Sequence, residues 1–517
     1  MRSFHRYFLI VLLFASSSGL TQEKVDQRII SRIKEEGFQH SQVMETLSYL
    51  TDVHGPRLLG TPGYRQAAEW ARDQLAKWGL TSRLESFDEN YRGWEARSFS
   101  VEMVEPRYMP LLAWPKAWVA GTDSEVIGVP VLLEHLDLDS LQQYAGQLRG
   151  KIVLLGRNEP SEPWLTPFTT RFSDETLAEA EQNLVPVPET HIGHMASKPL
   201  SERVRDNATR QQESTRWHQF FLDEGVAALI EPSRYDHGIL HVSGTYFIKK
   251  DQIKPAPYFV VANEHYSRLV RLLDRGERPK LKLHLQVQFF EEPQYNVNVL
   301  ADFPGSDARL RKEIVMLGAH FDSWHAGTGA TDNAAGSAVV MEALRILKAI
   351  AVRPARTIRV GLWGGEEQGY CGSSAYVKQH VGDRLTGEKK AEQATLSAYF
   401  NFDNGSGKIR GIYLQGNEAV RPVFKAYLEP FDYLDATTLT IQNASWTDHE
   451  QFDALNVPAF QFIQDPLNYM TVTHHSNLDV YDYVIEDDLK QSAVILASIA
   501  YHVANRDGLL PRKRLAE

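Results

Sequence analysis

In the second half of the chain four short apolar runs each stop at a His, Asp or Glu, and few folds arrange a chain that way. Ile314-Val315-Met316-Leu317 is apolar without alternation, as in a strand buried on both faces of a parallel sheet, and leads into Gly318-Ala319-His320-Phe321-Asp322. Thr357 to Trp363, apolar at Ile358, Val360 and Leu362, ends in Gly364-Gly365-Glu366-Glu367-Gln368-Gly369. Leu396 to Phe402 ends at Asp403, and Pro458 to Ile463 feeds a loop carrying His474-His475-Ser476-Asn477-Leu478-Asp479. Turns and helix-spaced apolar positions separate these runs, which predicts an α/β fold with a mixed, mostly parallel sheet flanked by helices. Such sheets gather their sites outside the carboxyl ends of the strands, so the four ends predict one crevice.

The rest of the chain divides by texture. Met1 to Arg6 is basic, Tyr7 to Ala15 apolar and Ser16 to Thr21 small, the order of a secretory signal and too short to cross a bilayer. This predicts a signal peptide over 1–21, a secreted or periplasmic protein, and no integral membrane segment after its removal. From Tyr64 to Leu80 the positions Ala67, Ala68, Trp70, Ala71, Leu75 and Trp78 recur at helical spacing in a first block, 22–125. Short apolar runs such as Lys151-Ile152-Val153-Leu154-Leu155, separated by polar and Pro-rich stretches, mark a mainly β insert over 126–292. The strand-and-helix alternation then occupies 293–517.

Composition narrows the chemistry. Acidic residues outnumber basic ones for a net charge of −11, which argues against nucleic acid as a partner. The single cysteine, Cys371, excludes an intrachain disulfide and a cysteine zinc cluster, so any metal falls to His, Asp and Glu. Imidazole and carboxylate ligands suit zinc, with manganese or cobalt as weaker candidates. Asp332 precedes a helix with Val340, Ala343, Leu344 and Leu347 on its apolar face, so it reads either as an N-cap or as a carboxylate bridging two ions. Neighbouring Glu366 and Glu367 diverge, so that one can bind metal while the other faces a water. Two metals and an adjacent carboxylate base make hydrolytic chemistry. Neither a His-Glu-x-x-His helix, which His449-Glu450-Gln451-Phe452-Asp453 lacks, nor a Gly-x-Ser-x-Gly elbow is present.

These segments resemble the co-catalytic zinc exopeptidases of the aminopeptidase and glutamate carboxypeptidase type, most of all carboxypeptidase Q-like bacterial members with a protease-associated domain insert. The resemblance covers nearly the whole mature chain and makes 22–125 and 293–517 a peptidase domain and 126–292 the protease-associated insert. It implies two zinc ions per chain: His320 and Asp403 on one, Glu367 and His475 on the other, Asp332 bridging and Glu366 the general base. Asp322 orients His320 from behind, Asp479 completes the family's His-x3-Asp spacing from His475, and His474 stands where some relatives carry a Tyr that donates to the oxyanion. The family also implies a cis peptide after Asp332.

The function so implied is an exported metallo-exopeptidase, a hydrolase cleaving terminal amide bonds of short peptides or dipeptides with Glu366 as base. Which terminus is read stays open, as aminopeptidase, carboxypeptidase or dipeptidase; a homodimer is allowed. A charged peptide end calls for a fixed counter-charge in the pocket. Two rivals are a catalytically silent receptor or scaffold, opposed by the intact ligand set, and a glutaminyl cyclase-like acyl transferase, opposed by the insert.

Overall fold

The computed structural model describes residues 23–186 and 200–513; the expected signal segment, 1–21, lies outside them. Eight strands form one sheet: β1 (Thr81–Ser86), β2 (Val297–Phe303), β3 (Ile314–His320), β4 (Thr357–Trp363), β5 (Leu396–Asn401), β6 (Ile409–Tyr413), β7 (Thr438–Thr440) and β8 (Ala459–Gln464). Their order is β1-β2-β4-β3-β5-β8-β6-β7, and the four strands read from sequence, β4, β3, β5 and β8, are consecutive and parallel at its centre. The outer pairs β1 with β2, β2 with β4 and β6 with β8 are antiparallel.

The absence of alternation in β3 has the expected cause. Val315, Leu317 and Ala319 enter one core with helices Ala335–Ala349 and Glu486–Asn505, while Ile314 and Met316 enter a second core with Trp363, Tyr399 and Phe452. Period-two geometry thus buries every residue of the strand, on alternate faces. The helix expected from Tyr64 spans Pro62–Lys77, with Pro62 at its start and Thr61 as N-cap accepting from the Tyr64 N–H.

Ser86 of β1 faces Val297 of β2, so the chain leaves and re-enters the large sheet between two paired strands. Between them a second unit carries two sheets. The first is antiparallel and pairs Gly93–Glu105 with Lys280–Phe290, so a strand ahead of the composition change at Val126 belongs to this unit by its pairing. In the second, Val131–Leu133, Ile152–Leu155, Ala228–Pro232 and Tyr258–Val261 run parallel, with Ala113–Pro115 antiparallel at the edge. The short apolar runs are strands, but helices Leu200–Glu224 and Asn263–Asp274 accompany them. The long helix is polar until Trp217, Phe220 and Phe221 near its end, so its sequence carries little helical periodicity.

Leu58, Leu59, Trp324 and Cys371 share one apolar core with the second unit, which seats it beside the strand ends of the large sheet. Among the described residues no helix is long and apolar enough to cross a membrane.

Candidate metal centre

Each strand end delivers its side chain for a local reason. His320 is the last residue of β3, and its carbonyl accepts from Ser337 Oγ at 2.9 Å. After β4 the chain turns through Gly365 at φ +71°, where a Cβ would stand 2.8 Å from both Cys371 and Leu59, so glycine is required to bring Glu366 and Glu367 to the crevice. Asp403 follows β5. His475 stands in the loop beyond β8, itself at φ +54°.

Asp332 lies at the centre. Its Oδ1 is 3.1 Å from His320 Nε2, and its Oδ2 is 3.4 Å from His475 Nε2. His320 Nε2 is 3.3 Å from Asp403 Oδ1, and His475 Nε2 is 2.9 Å from Glu367 Oε2. Two ligand triads therefore share one carboxylate: His320, Asp332 and Asp403, and Asp332, Glu367 and His475. Asp332 is not the helix cap. The side chain of Asn333 takes that task, accepting from the Gly336 N–H at 2.9 Å and donating to Asp403 Oδ1 at 3.1 Å. The Asp332–Asn333 peptide is cis, as the family implies.

The electrostatics expose a deficit of positive charge. Burial, then the charge of Asp332, drives the Glu367 carboxyl well above its usual range. Burial also raises Glu366, opposed by His320 and reinforced by Asp403, Asp448 and Glu367. His320 is held well above its ordinary value: burial pulls it down, but Asp403, Asp322 and Asp332 outweigh that. Burial lowers His475 to about 4 although Asp332 opposes it, so its imidazole is neutral at neutral pH. Asp332 Oδ2 and Glu367 Oε1 are buried with no hydrogen-bond partner. Buried carboxylate oxygens without partners, grouped with imidazole nitrogens, fit divalent cations.

The flanking residues depart in part from expectation. His320 Nδ1 lies 3.1 Å from the backbone carbonyl of Asp322 and 3.6 Å from its carboxylate. That carboxylate also accepts from the Glu366 and Glu367 N–H groups, at 3.0 and 3.3 Å. Asp479 does not bond His475; its Oδ1 accepts from the N–H and Oγ1 of Thr331, at 2.6 and 2.8 Å, fixing the segment that carries Asp332. Burial, then Asp332, pushes Asp479 up to about 7. His474 stacks on His475 at 3.7 Å between ring centroids, with Nε2 4.0 Å from Asp332 Oδ2 and Nδ1 without a partner.

Three contributors escaped the sequence reading. Arg57 is fully buried and donates to the carbonyls of Leu50, Phe321, Thr328 and Gly329, tying the His320 and Asp332 segments together. Asp448, beside Ser373, is pushed up to about 8 by burial, with Asp403 among the charges adding to it. His241 comes from the second unit, its ring 5.4 Å from that of His475. The Val242 N–H donates to the His475 carbonyl at 2.8 Å, and the strand-end rule applied to Ala228–Pro232 leads to this loop. A cavity of about 420 Å³ has Phe172, Tyr413 and Met470 in its wall together with Asn404, next to Asp403 in the chain, and Tyr469, whose ring is 5.0 Å from that of His474.

Comparison with known proteins decides the family. Residues 298–500 match Peptidase family M28. Carboxypeptidase Q of Mus musculus is 26% identical across 99% of this chain and 100% of its own length, and that of Homo sapiens 24% across 97% of each. The family match and the whole-length likeness to carboxypeptidase Q support a co-catalytic zinc exopeptidase. Among solved structures, a peptidase M28 precursor from Shewanella amazonensis SB2B superposes on the exopeptidase with a TM-score of 0.64 at 23% identity, covering 95% of this chain and 99% of the other. A zinc aminopeptidase from Bacillus subtilis superposes with a TM-score of 0.56 at 18% identity, covering 89% and 93%. The exopeptidase thus shares its fold with both.

Proposed function

We propose that this exopeptidase is exported, holds two zinc ions, and hydrolyses a terminal amide bond of short peptides with Glu366 as general base. The observation that carries the reading is Asp332, one oxygen toward His320 and Asp403, the other toward Glu367 and His475. These five side chains would hold the ions, Asp332 being common to both triads. Zinc held there supplies the Lewis acidity that polarises a scissile carbonyl and makes water a stronger acid.

The chain does the rest. Glu366, its N–H fixed on Asp322, accepts the proton of the attacking water and returns it to the leaving amine nitrogen. Burial raises its proton affinity toward the range such a shuttle needs. His474, adjacent to His475 and 4.0 Å from Asp332, donates to the oxygen that gains charge as the carbonyl carbon becomes tetrahedral. Asp322 and Asp479 act on the backbone, holding the Glu366–Glu367 turn and the Asp332 segment. The cavity walled by Phe172, Tyr413, Tyr469 and Met470 receives the side chain of the residue released or retained. The unit inserted between β1 and β2 is the protease-associated domain, and 1–21 the signal peptide.

The test is to incubate zinc-loaded protein with short peptides whose ends are free or blocked and read the products by mass spectrometry. Stepwise loss of terminal residues is expected. Internal cleavage, or pyroglutamate formed without addition of water, would overturn the reading. Sequencing the mature N-terminus from an exporting host tests the signal, and an intact Met1 would refute it.

A further inference from the structure

We infer that His241 of the second unit and His474 form a third, weaker metal site beside the two triads, which takes an imidazole-seeking divalent ion such as Cu²⁺ and switches hydrolysis off when filled. The site itself does not depend on the exopeptidase reading; the inhibition rests on it, through the role of His474.

Neither residue belongs to the triads, which are complete with His320, Asp332, Glu367, Asp403 and His475. Yet His241, His474 and His475 each offer a ring nitrogen, and the three atoms lie within 4.8 Å of one another. His475 Nε2 is turned to Glu367 Oε2 at 2.9 Å and is taken by the centre. His241 Nε2 and His474 Nδ1 are buried with no hydrogen-bond partner. Leaving a buried ring nitrogen unpaired costs about 1–3 kcal/mol, and packing between the units gives no reason to leave two in one cluster.

Both rings are fixed in place. The His241 N–H donates to Ser233 Oγ at 3.1 Å, and the next residue's N–H, that of Val242, to the His475 carbonyl at 2.8 Å. The Leu240 N–H donates to Asn477 Oδ1 at 2.7 Å, and the Leu240 carbonyl accepts from the Asn477 N–H at 3.1 Å. Tyr235 packs edge-on against the His241 ring at 5.4 Å between centroids, and Tyr469 against that of His474 at 5.0 Å. The His474 N–H donates to the Tyr469 carbonyl at 2.8 Å. Two nitrogens on one tetrahedral ion stand about 3.4 Å apart for bonds of about 2.1 Å, so a small ring rotation closes the site.

The chemistry selects the ion. Asp332, 4.0 Å from His474 Nε2, is already shared by the triads, so the new ligands are imidazoles alone. The charges of Arg234 and Lys116 act on His241. An ion held mainly by oxygen and charge, such as Mg²⁺ or Ca²⁺, is therefore turned away, and Cu²⁺, the strongest binder of nitrogen among first-row divalent ions, is favoured. Without a carboxylate the site is weaker than either triad and fills after them. His474 then holds the ion and no longer donates to the oxygen that gains charge.

The experiment titrates zinc-loaded protein, freed of excess metal, with Cu²⁺. Elemental analysis counts zinc and copper, and electron paramagnetic resonance reads the copper ligands. One copper per chain is expected with both zinc ions kept and nitrogen couplings in the spectrum. As the site fills, kcat should fall by about a hundredfold, the order for losing one oxyanion donor. His241→Phe and His241→Gln should keep their zinc and bind copper at least about tenfold more weakly. At the copper concentration that halves wild-type turnover, each variant should stay close to its own copper-free rate. Copper that displaces zinc one for one, binding that both variants leave unchanged, or a third ion bound without loss of turnover would overturn the inference. A chain that cleaves no peptide would overturn the exopeptidase reading, while the metal count and the spectrum would still decide the site.

Discussion

The carboxylate of Asp322 accepts the backbone N–H of Glu366 at 3.0 Å, and its second oxygen that of Glu367 at 3.3 Å. An aspartate expected to steer a histidine ring therefore holds the turn that presents the base and a ligand. Asp322→Ala leaves two N–H groups without their acceptor, at about 1–3 kcal/mol each if they stay buried. We expect kcat to fall by about a hundredfold, through a misplaced base, with at least one zinc retained. Steady-state kinetics with elemental analysis checks this; unchanged kcat would refute it.

Glu366→Gln keeps the shape of the side chain and removes its basicity. Zinc content should match wild type while kcat falls by about 10² to 10⁴-fold, the usual worth of a positioned base. Undiminished turnover would assign the proton transfer elsewhere.

Asp332→Ala removes the carboxylate common to both triads, and at least one zinc should be lost by elemental analysis. The helix Ala335–Ala349 should persist in circular dichroism, because Asn333 caps it. Full zinc occupancy would show that Asp332 is dispensable as a bridge.

Removal of metal should destabilise the native fold. Asp332, Glu366, Glu367 and Asp403 crowd one crevice, and a ligand that binds only the folded state stabilises it by mass action. A chelator should lower Tm by several degrees, and added zinc should restore it; an indifferent Tm would argue that no ion is tightly held.

A separate pH dependence arises within the second unit. His218 is buried between Trp217, Phe247 and Tyr258, and burial, then the Lys116 charge, lowers it to about 4. Its folded value lies below the unfolded one of about 6.5, so the unfolded chain takes the proton first and stability falls as pH drops from 6.5 toward 4. The loss between pH 7 and 5 is on the order of 2 kcal/mol. His218→Phe should narrow the gap in Tm between those pH values, and an unchanged gap would refute the assignment.

The strands β3, β4, β5 and β8 and the ligand types at their ends were legible in the chain, because burial on both faces is written as local apolar runs. The crevice followed from their being parallel. The bridging role of Asp332 was only one of two readings, since a residue before a helix looks the same whether it caps or bridges; Asn333 taking the cap removes the capping reading. Spacing placed Asp322 beside His320 and Asp479 after His475, but the bonds of their carboxylates to the Glu366, Glu367 and Thr331 N–H groups were visible only in the structure.

Strand period and side-chain chemistry marked His320, the Glu366–Glu367 pair, Asp403 and the His474–His475 pair in the sequence, and the family resemblance chose Glu367 and His475 within the pairs. That Arg57 ties two of their segments together, and that His241 reaches the same crevice from another unit, was decided by the tertiary structure alone. Those contacts depend on how units far apart in the chain pack together, and no local pattern records that distance.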